Sequence, residues 1–191
     1  MDKFFFPLND GYYYGRRLHK EIKDKLGNKL VQSSHATGLL CQAIRNAGHG
    51  DYVEIGSLHG GSAITAALTK KEFKLDGDIW CIEPNPRDIY DNASIWGVEN
   101  KIRVYQIPSE EMVWGNYRFS CGFIDGDHRD PNPLLDWNML KNRVTKYIIF
   151  DDYDKTEEGV VTAVRYAMDY EEPWRIVHIS DAIAILEREY T

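Results

Sequence analysis

The sequence predicts a doubly wound α/β domain with a mostly parallel, seven-stranded sheet, and three observations carry that prediction. Short apolar runs alternate with amphipathic stretches from residue 51 to residue 170. Strands separated by helices run parallel, because parallel neighbours need a crossover connection. Several runs, such as I-I-F at 148–150, are continuously apolar, as strands covered on both faces are. The chain then closes on two apolar runs, 174–180 and 182–189, almost touching in sequence. Strands joined so closely form a hairpin, so one of the pair is antiparallel.

Each element can be justified in turn. Residues 1–15, M-D-K-F-F-F-P-L-N-D-G-Y-Y-Y-G, are aromatic, rich in turn formers and aperiodic. From Ser34 a helix is expected: the serine can cap it, and Leu39, Leu40, Ala43, Ile44 and Ala47 form one face before Gly48 and Gly50 end it. Residues 51–56 read as a buried strand and 61–70 as a helix, then 78–84 as a strand and 86–96 as a helix. Strands follow at 101–106 and 119–125, a Pro-bounded helix at 133–143, and a strand at 146–152. A further helix presents Val160, Val161, Val164, Ala167 and Met168. The predicted strand order is 3-2-1-4-5-7-6, with only the last-formed strand antiparallel. No repeat or linker interrupts the pattern, so residues 1–191 form one domain, with 1–33 an N-terminal aromatic and helical extension placed to act as a lid.

Composition narrows the function classes. A chain of 191 residues, 43% hydrophobic, can bury a core. Its net charge of −7 leaves no broad basic surface to neutralise phosphates, which excludes nucleic acid as a natural acceptor and disfavours anionic membranes. Cys41, Cys81 and Cys121 are scattered, with no C-x-x-C pair, and read as buried thiols in a reducing compartment. The apolar patch at 4–6 is too short for a signal segment or a membrane span, so a cytoplasmic location is expected.

The most informative stretch is V53-E-I-G-S-L-H-G-G-S62, a strand running through glycines into a helix. Gly56 allows a sharp turn off the strand, Gly60 and Gly61 are expected to let backbone approach a ligand, and the helix offers free N–H groups to an anionic end. The pattern is E-x-G-x-x-x-G, so the G-x-G-x-x-G dinucleotide fingerprint is broken. The second strand ends in Glu83, within C-I-E-P-N-P, where a carboxylate can accept from both hydroxyls of a ribose. NAD and adenosylmethionine sites share that device. The E-x-G form of the loop favours the second, since no pyrophosphate needs cradling.

From about Ser33 to Asp152 the chain resembles the class I, Rossmann-like methyltransferases, and among them the metal-dependent O-methyltransferases of catechol, caffeoyl-coenzyme A and macrolide-sugar type. Residues 54–62 resemble the first motif of that family, I82-E-P-N-P86 its ribose-binding acid, and I107-P-S-E-E111 the segment set against adenine. The resemblance assigns Glu54, Gly56, Ser57, Gly60, Ser62, Glu83, Pro84, Ser109, Glu110 and Asp125 to S-adenosylmethionine. Ser62 would touch the methionine carboxylate, Glu54 would lie near the amino group, and S33-S-H-A-T37 would lead a helix over the methionine end.

Two acidic segments end the central strands, F123-I-D-G-D-H128 and F150-D-D-Y153. Ligands of open α/β sheets bind beyond the carboxyl ends of the strands. If the fourth and fifth strands are neighbours, Asp125, Asp151 and Asp152 converge. Three clustered carboxylates call for a cation, and hard oxygen ligands favour Mg²⁺, Ca²⁺ or Mn²⁺. The resemblance places its metal triad on the same three residues, with Mg²⁺ the expected ion, and His128 at the offset where the catechol enzyme carries a catalytic lysine. A histidine suits a general base near neutral pH; a helix-leading surface residue is the alternative. His59 and His35 lie near the cofactor loops without partners visible in sequence, and His19, His49 and His178 read as structural.

The function expected from this is methyl transfer to a small hydroxylated acceptor, a sugar or phenol, assisted by the cation, with Asp125 and His128 at the reacting groups. Loss of Glu83 is expected to abolish cofactor binding without disturbing the fold. The aromatic N-terminus, Phe4, Phe5, Phe6, Tyr12, Tyr13 and Tyr14, either covers the acceptor or serves as core or as a contact in a homo-oligomer. Two other functions stay open: a metal-independent methyltransferase, and a nucleotide-binding protein, NAD-dependent or non-catalytic.

Overall fold

A computed structural model describes residues 6–154, 156–170, 173–180 and 183–189; Phe4, Phe5 and residues 181–182 lie outside the described residues. Seven strands form one sheet: β1 Asp51–Ile55, β2 Ile79–Ile82, β3 Ile102–Tyr105, β4 Phe119–Ile124, β5 Val144–Asp151, β6 Trp174–Ile179 and β7 Ile183–Arg188. Their order is 3-2-1-4-5-7-6, as predicted. The pairs among β1 to β5 are parallel, and β7 runs antiparallel to both β5 and β6.

Helices α1 Asp10–Leu26, α2 Ser34–Ala47, α3 Gly61–Glu72 and α4 Ile89–Ser94 pack on one face of the sheet. Helices α5 Asn132–Leu140 and α6 Glu158–Tyr170 cover the other. Between β3 and β4 the chain makes only a single helical turn, Ser109–Glu111, and Met112 and Trp114 close the sheet there instead. The bounds differ from expectation in small ways. Ser33, not Ser34, caps α2, accepting from the N–H of Ala36. On α6 the buried face is Val160, Ala163, Val164 and Ala167, while Met168 is exposed.

The N-terminal segment needs a correction. Residues 10–15 are helical, not an aperiodic turn region. Asn9 caps α1 by accepting from the N–H of Gly11, and Tyr12, Gly15, Leu18, Ile22 and Leu26 recur at helical spacing on its buried face. The glycines are contact surfaces: a Cβ on Gly15 would sit 2.7 Å from the carbonyl oxygen of Thr37, and one on Gly38 would sit 2.8 Å from the ring of Tyr12. Small residues let the two helices approach closely, with the ring of Tyr12 packed against Gly38. Tyr12 is accordingly core, its hydroxyl 2.8 Å from Nδ1 of His35, whereas Tyr13 is largely exposed.

Candidate active site

The sheet reverses direction of winding between β1 and β4, and register brings the predicted residues together there. Ile55 pairs with Ile124 and Ile124 with Phe150. The next residues along, Gly56, Asp125 and Asp151, therefore leave three adjacent strands at one level. Gly56 has φ 87°, and a Cβ on it would lie 2.0 Å from the carbonyl oxygen of Asp125. Only glycine fits between those two strand ends.

A cleft of about 570 Å³ opens at this point, bounded by the glycine turn, by Glu83 and Pro84 after β2, by Ser109 and Glu110 after β3, and by Asp125 and His128 after β4. That volume suits a ligand of cofactor size. Lys29, Val31 and Gln32 of the N-terminal extension form part of its wall.

Glu83 is buried and clasps the glycine turn: its Oε2 accepts from the N–H groups of Ser57 and Leu58, both at 3.0 Å, and Oε1 from Asn85 at 2.8 Å. Ser62 is nearly buried at the start of α3 and lines the cleft. Glu54 lies beneath it with 0% exposure and accepts from the hydroxyl of Tyr52 at 3.0 Å. Burial pushes its carboxyl up to about 7, although the hydroxyls of Ser62 and Tyr52 pull the other way. Gly61 lines the cleft, and both Gly60 and Gly61 are also packed against protein. A Cβ on Gly60 would meet Ile89 at 2.9 Å, and one on Gly61 the carbonyl oxygen of Lys29 at 2.9 Å. These glycines admit neighbouring protein.

At the far end, the hydroxyl of Ser109 donates to Oδ1 of Asp136 at 2.6 Å. Asp136 lines the cleft from α5, and burial raises its carboxyl to about 6. It escaped the sequence reading, although an acid inside L134-L-D-W-N-M-L140 was a signal: aspartate is a poor helix former and this one interrupts an apolar run.

The acidic centre is arranged as follows. Atoms of Asp125, His128 and Asp152 lie within 4.8 Å of one another. His128 Nε2 stands 3.6 Å from Asp125 and Nδ1 3.5 Å from Asp152, and Nε2 is buried without a hydrogen-bond partner. The nearby Asp125 carboxylate raises the pKa of the imidazole. Asp152 adopts φ 49°, a left-handed conformation that turns the chain sharply after β5. Asp151 is buried, and its Oδ2 accepts from Nε2 of Gln32 at 3.1 Å; the same nitrogen donates to Asp125 at 2.7 Å. Burial raises the carboxyls of both Asp125 and Asp151, and for Asp151 the charge of Asp125 adds to it. Gln32 was also missed; its partners are 93 and 119 residues away, beyond any local pattern.

The remaining histidines stay off the cluster. His59 borders the cleft, His35 bonds Tyr12 and His19 Nδ1 lies 3.1 Å from the hydroxyl of Thr37. The three cysteines are free and buried. No described helix is long and apolar enough to cross a membrane.

No family model and no curated protein matches the chain. Solved structures do. A protein named provisionally as an O-methyltransferase, from Klebsiella pneumoniae, superposes with TM-score 0.70 at 18% identity, over 97% of this chain and 92% of its own. The O-methyltransferase of Bacillus cereus, in complex with SAH, gives 0.63 at 15% identity over 96% and 93%. TomG from Streptomyces achromogenes, an O-methyltransferase involved in tomaymycin synthesis and solved with SAM, gives 0.62 at 15% over 94% and 90%. The chain has the class I methyltransferase fold over nearly its whole length.

Proposed function

We propose that the protein is an S-adenosylmethionine-dependent methyltransferase acting on a small hydroxylated acceptor, a sugar or a phenol, with a divalent cation at the acidic centre. The observation that carries this reading is the placement of Glu83 and the Asp125 cluster at opposite sides of one cleft, across the switch point. Glu83, Ser57 and Pro84 would hold the ribose side, Ser109 and Glu110 the adenine, and Ser62, with Glu54 and Gly56 behind it, the methionine end.

The donor set suits a hard cation. Two carboxylates and an imidazole gather within 4.8 Å, one imidazole nitrogen lacks a partner, and the clustered carboxylates carry charge that burial penalises. Asp125, Asp151 and Asp152 would hold the ion; Mg²⁺ is the natural occupant. When bound, it would acidify the acceptor hydroxyl. His128 is placed to take the hydroxyl proton, and the cleft walls would align acceptor oxygen, methyl carbon and sulfur in line. The acidic surface argues against nucleic acid as acceptor. A cytoplasmic location fits the unpaired thiols.

Calorimetric titration with adenosylhomocysteine and with NAD, each with and without Mg²⁺, tests the reading. Binding of adenosylhomocysteine but not NAD is expected. The reverse preference would make this a dinucleotide protein, and indifference to Mg²⁺ in both binding and transfer would favour a metal-independent enzyme.

A further inference from the structure

Gln32 connects the N-terminal extension to the acidic centre. It lies just before α2, is 8% exposed, and donates from one amide nitrogen to Oδ2 of Asp125 and Oδ2 of Asp151. Its NH₂ group therefore spends both hydrogens on carboxylates from neighbouring strands. Those two aspartates are level in register at the ends of adjacent strands, and their carboxylates face the same amide nitrogen. The space between them holds that nitrogen, and the atoms gathered within 4.8 Å belong to Asp125, His128 and Asp152, without Asp151.

An amide NH₂ bridging two carboxylates offsets part of their repulsion, as a cation would, but with partial charges only. An ion shared by Asp125 and Asp151 would need the place the amide holds. A divalent ion takes its oxygens at roughly 2.0–2.6 Å, and the nitrogen already stands 2.7 Å from Asp125.

The segment carrying Gln32 is itself seated on the cofactor side of the cleft. Leu30 is buried, and the carbonyl of Lys29 and the Cα of Leu30 close over Gly61, the first residue of α3. Lys29 reaches Asn92 at 3.0 Å. A group that leaves the aspartates thus belongs to a strap that also walls the ligand site.

We propose that Gln32 is a positioning residue that competes with the divalent cation for Asp125 and Asp151. Its amide holds the pair in the cation-free protein and gives up at least one carboxylate when the ion enters. The inference rests on the metal-assisted reading above.

Mn²⁺ is the probe, with binding followed by calorimetry and stability by thermal denaturation, on the full chain and on Gln32→Ala and Gln32→Asn. Asparagine keeps a polar amide, is too short to span both carboxylates, and carries the test should the alanine variant not fold. Both variants should bind Mn²⁺ about tenfold more tightly than the parent, the equivalent of one charge-assisted hydrogen bond no longer broken on loading. Without metal they should melt below the parent, and saturating Mn²⁺ should close that gap. A gap unchanged by Mn²⁺ would mean a purely structural glutamine and overturn the proposal. So would weaker Mn²⁺ binding by the variants, which would make Gln32 a ligand through its carbonyl oxygen. Mn²⁺ bound by the parent with affinity indifferent to residue 32 sinks this inference alone. Mn²⁺ bound by none of the three sinks the metal reading as well.

Discussion

Glu83 holds the glycine turn in place through Ser57: its Oε2 accepts from the Ser57 N–H at 3.0 Å, and the neighbouring N–H of Leu58 reaches the same oxygen. The acid is thus part of the turn's own framework as well as a candidate ribose contact. Glu83→Ala removes three backbone hydrogen bonds from a buried carboxylate, each worth about 1.5–3 kcal/mol. That variant should be clearly destabilised, in contrast with the intact fold expected from sequence. Glu83→Gln keeps one acceptor oxygen and should fold with a lowered melting temperature. Its calorimetric affinity for adenosylhomocysteine should fall at least about tenfold. Affinity within threefold of the parent would remove Glu83 from the ribose contact.

Glu54 makes stability depend on pH in an unusual direction. Burial raises its carboxyl from 4.5 to about 7, so between those values the folded protein binds a proton that the unfolded chain has released. Stability therefore falls as pH rises through that window, by an amount on the order of 3 kcal/mol for this group. Glu54→Gln, neutral at every pH, should lose that part of the slope and gain on the parent above pH 7. Chemical denaturation at pH 5 and pH 8 measures it. Parallel pH profiles for parent and variant would mean that Glu54 stays ionised in its pocket.

Asp136 fixes Ser109 at the end of the cleft where the resemblance places adenine. Asp136→Ala would free the serine hydroxyl and should weaken adenosylhomocysteine by about three- to tenfold, in line with one lost hydrogen bond. Ser109→Ala should do the same, and the double variant should add little, because the two residues act as one unit. Additive losses would mean separate contacts with the ligand.

The strand order was legible because each of its parts had a local cause. Continuous apolar runs marked the buried parallel strands, and the close spacing of 174–180 and 182–189 placed the antiparallel one. The acid-ended strands were legible too, since register follows once β4 and β5 are neighbours. Helix α1 was not. Its glycines and tyrosines, read locally, spell turns, and their actual reason, close contact with α2, exists only in the fold. Gln32 shows the same limit at the site. A polar residue before a helix cap has no pattern of its own, and its role comes from two carboxylates brought to it by the sheet.

His128 faces both Asp125 and Asp152, and two roles follow from that position with different consequences. As a base it would take the proton from the acceptor hydroxyl, and its loss would slow transfer while leaving the ion in place. As a ligand it would hold the ion, and its loss would weaken both. The surrounding oxygens favour the first role, because the proposed site offers the carboxylates of Asp125, Asp152 and Asp151, the hard donors that Mg²⁺ or Mn²⁺ prefers. In His128→Ala, Mn²⁺ affinity should stay within about threefold of the parent. Transfer of a labelled methyl group to a phenol or sugar found by screening should fall by about a hundred- to ten-thousand-fold, the usual contribution of a positioned base. Adenosylhomocysteine affinity serves as the control for folding and should not move. If Mn²⁺ affinity drops tenfold or more together with transfer, the imidazole is a ligand and the base must be sought elsewhere along the cleft.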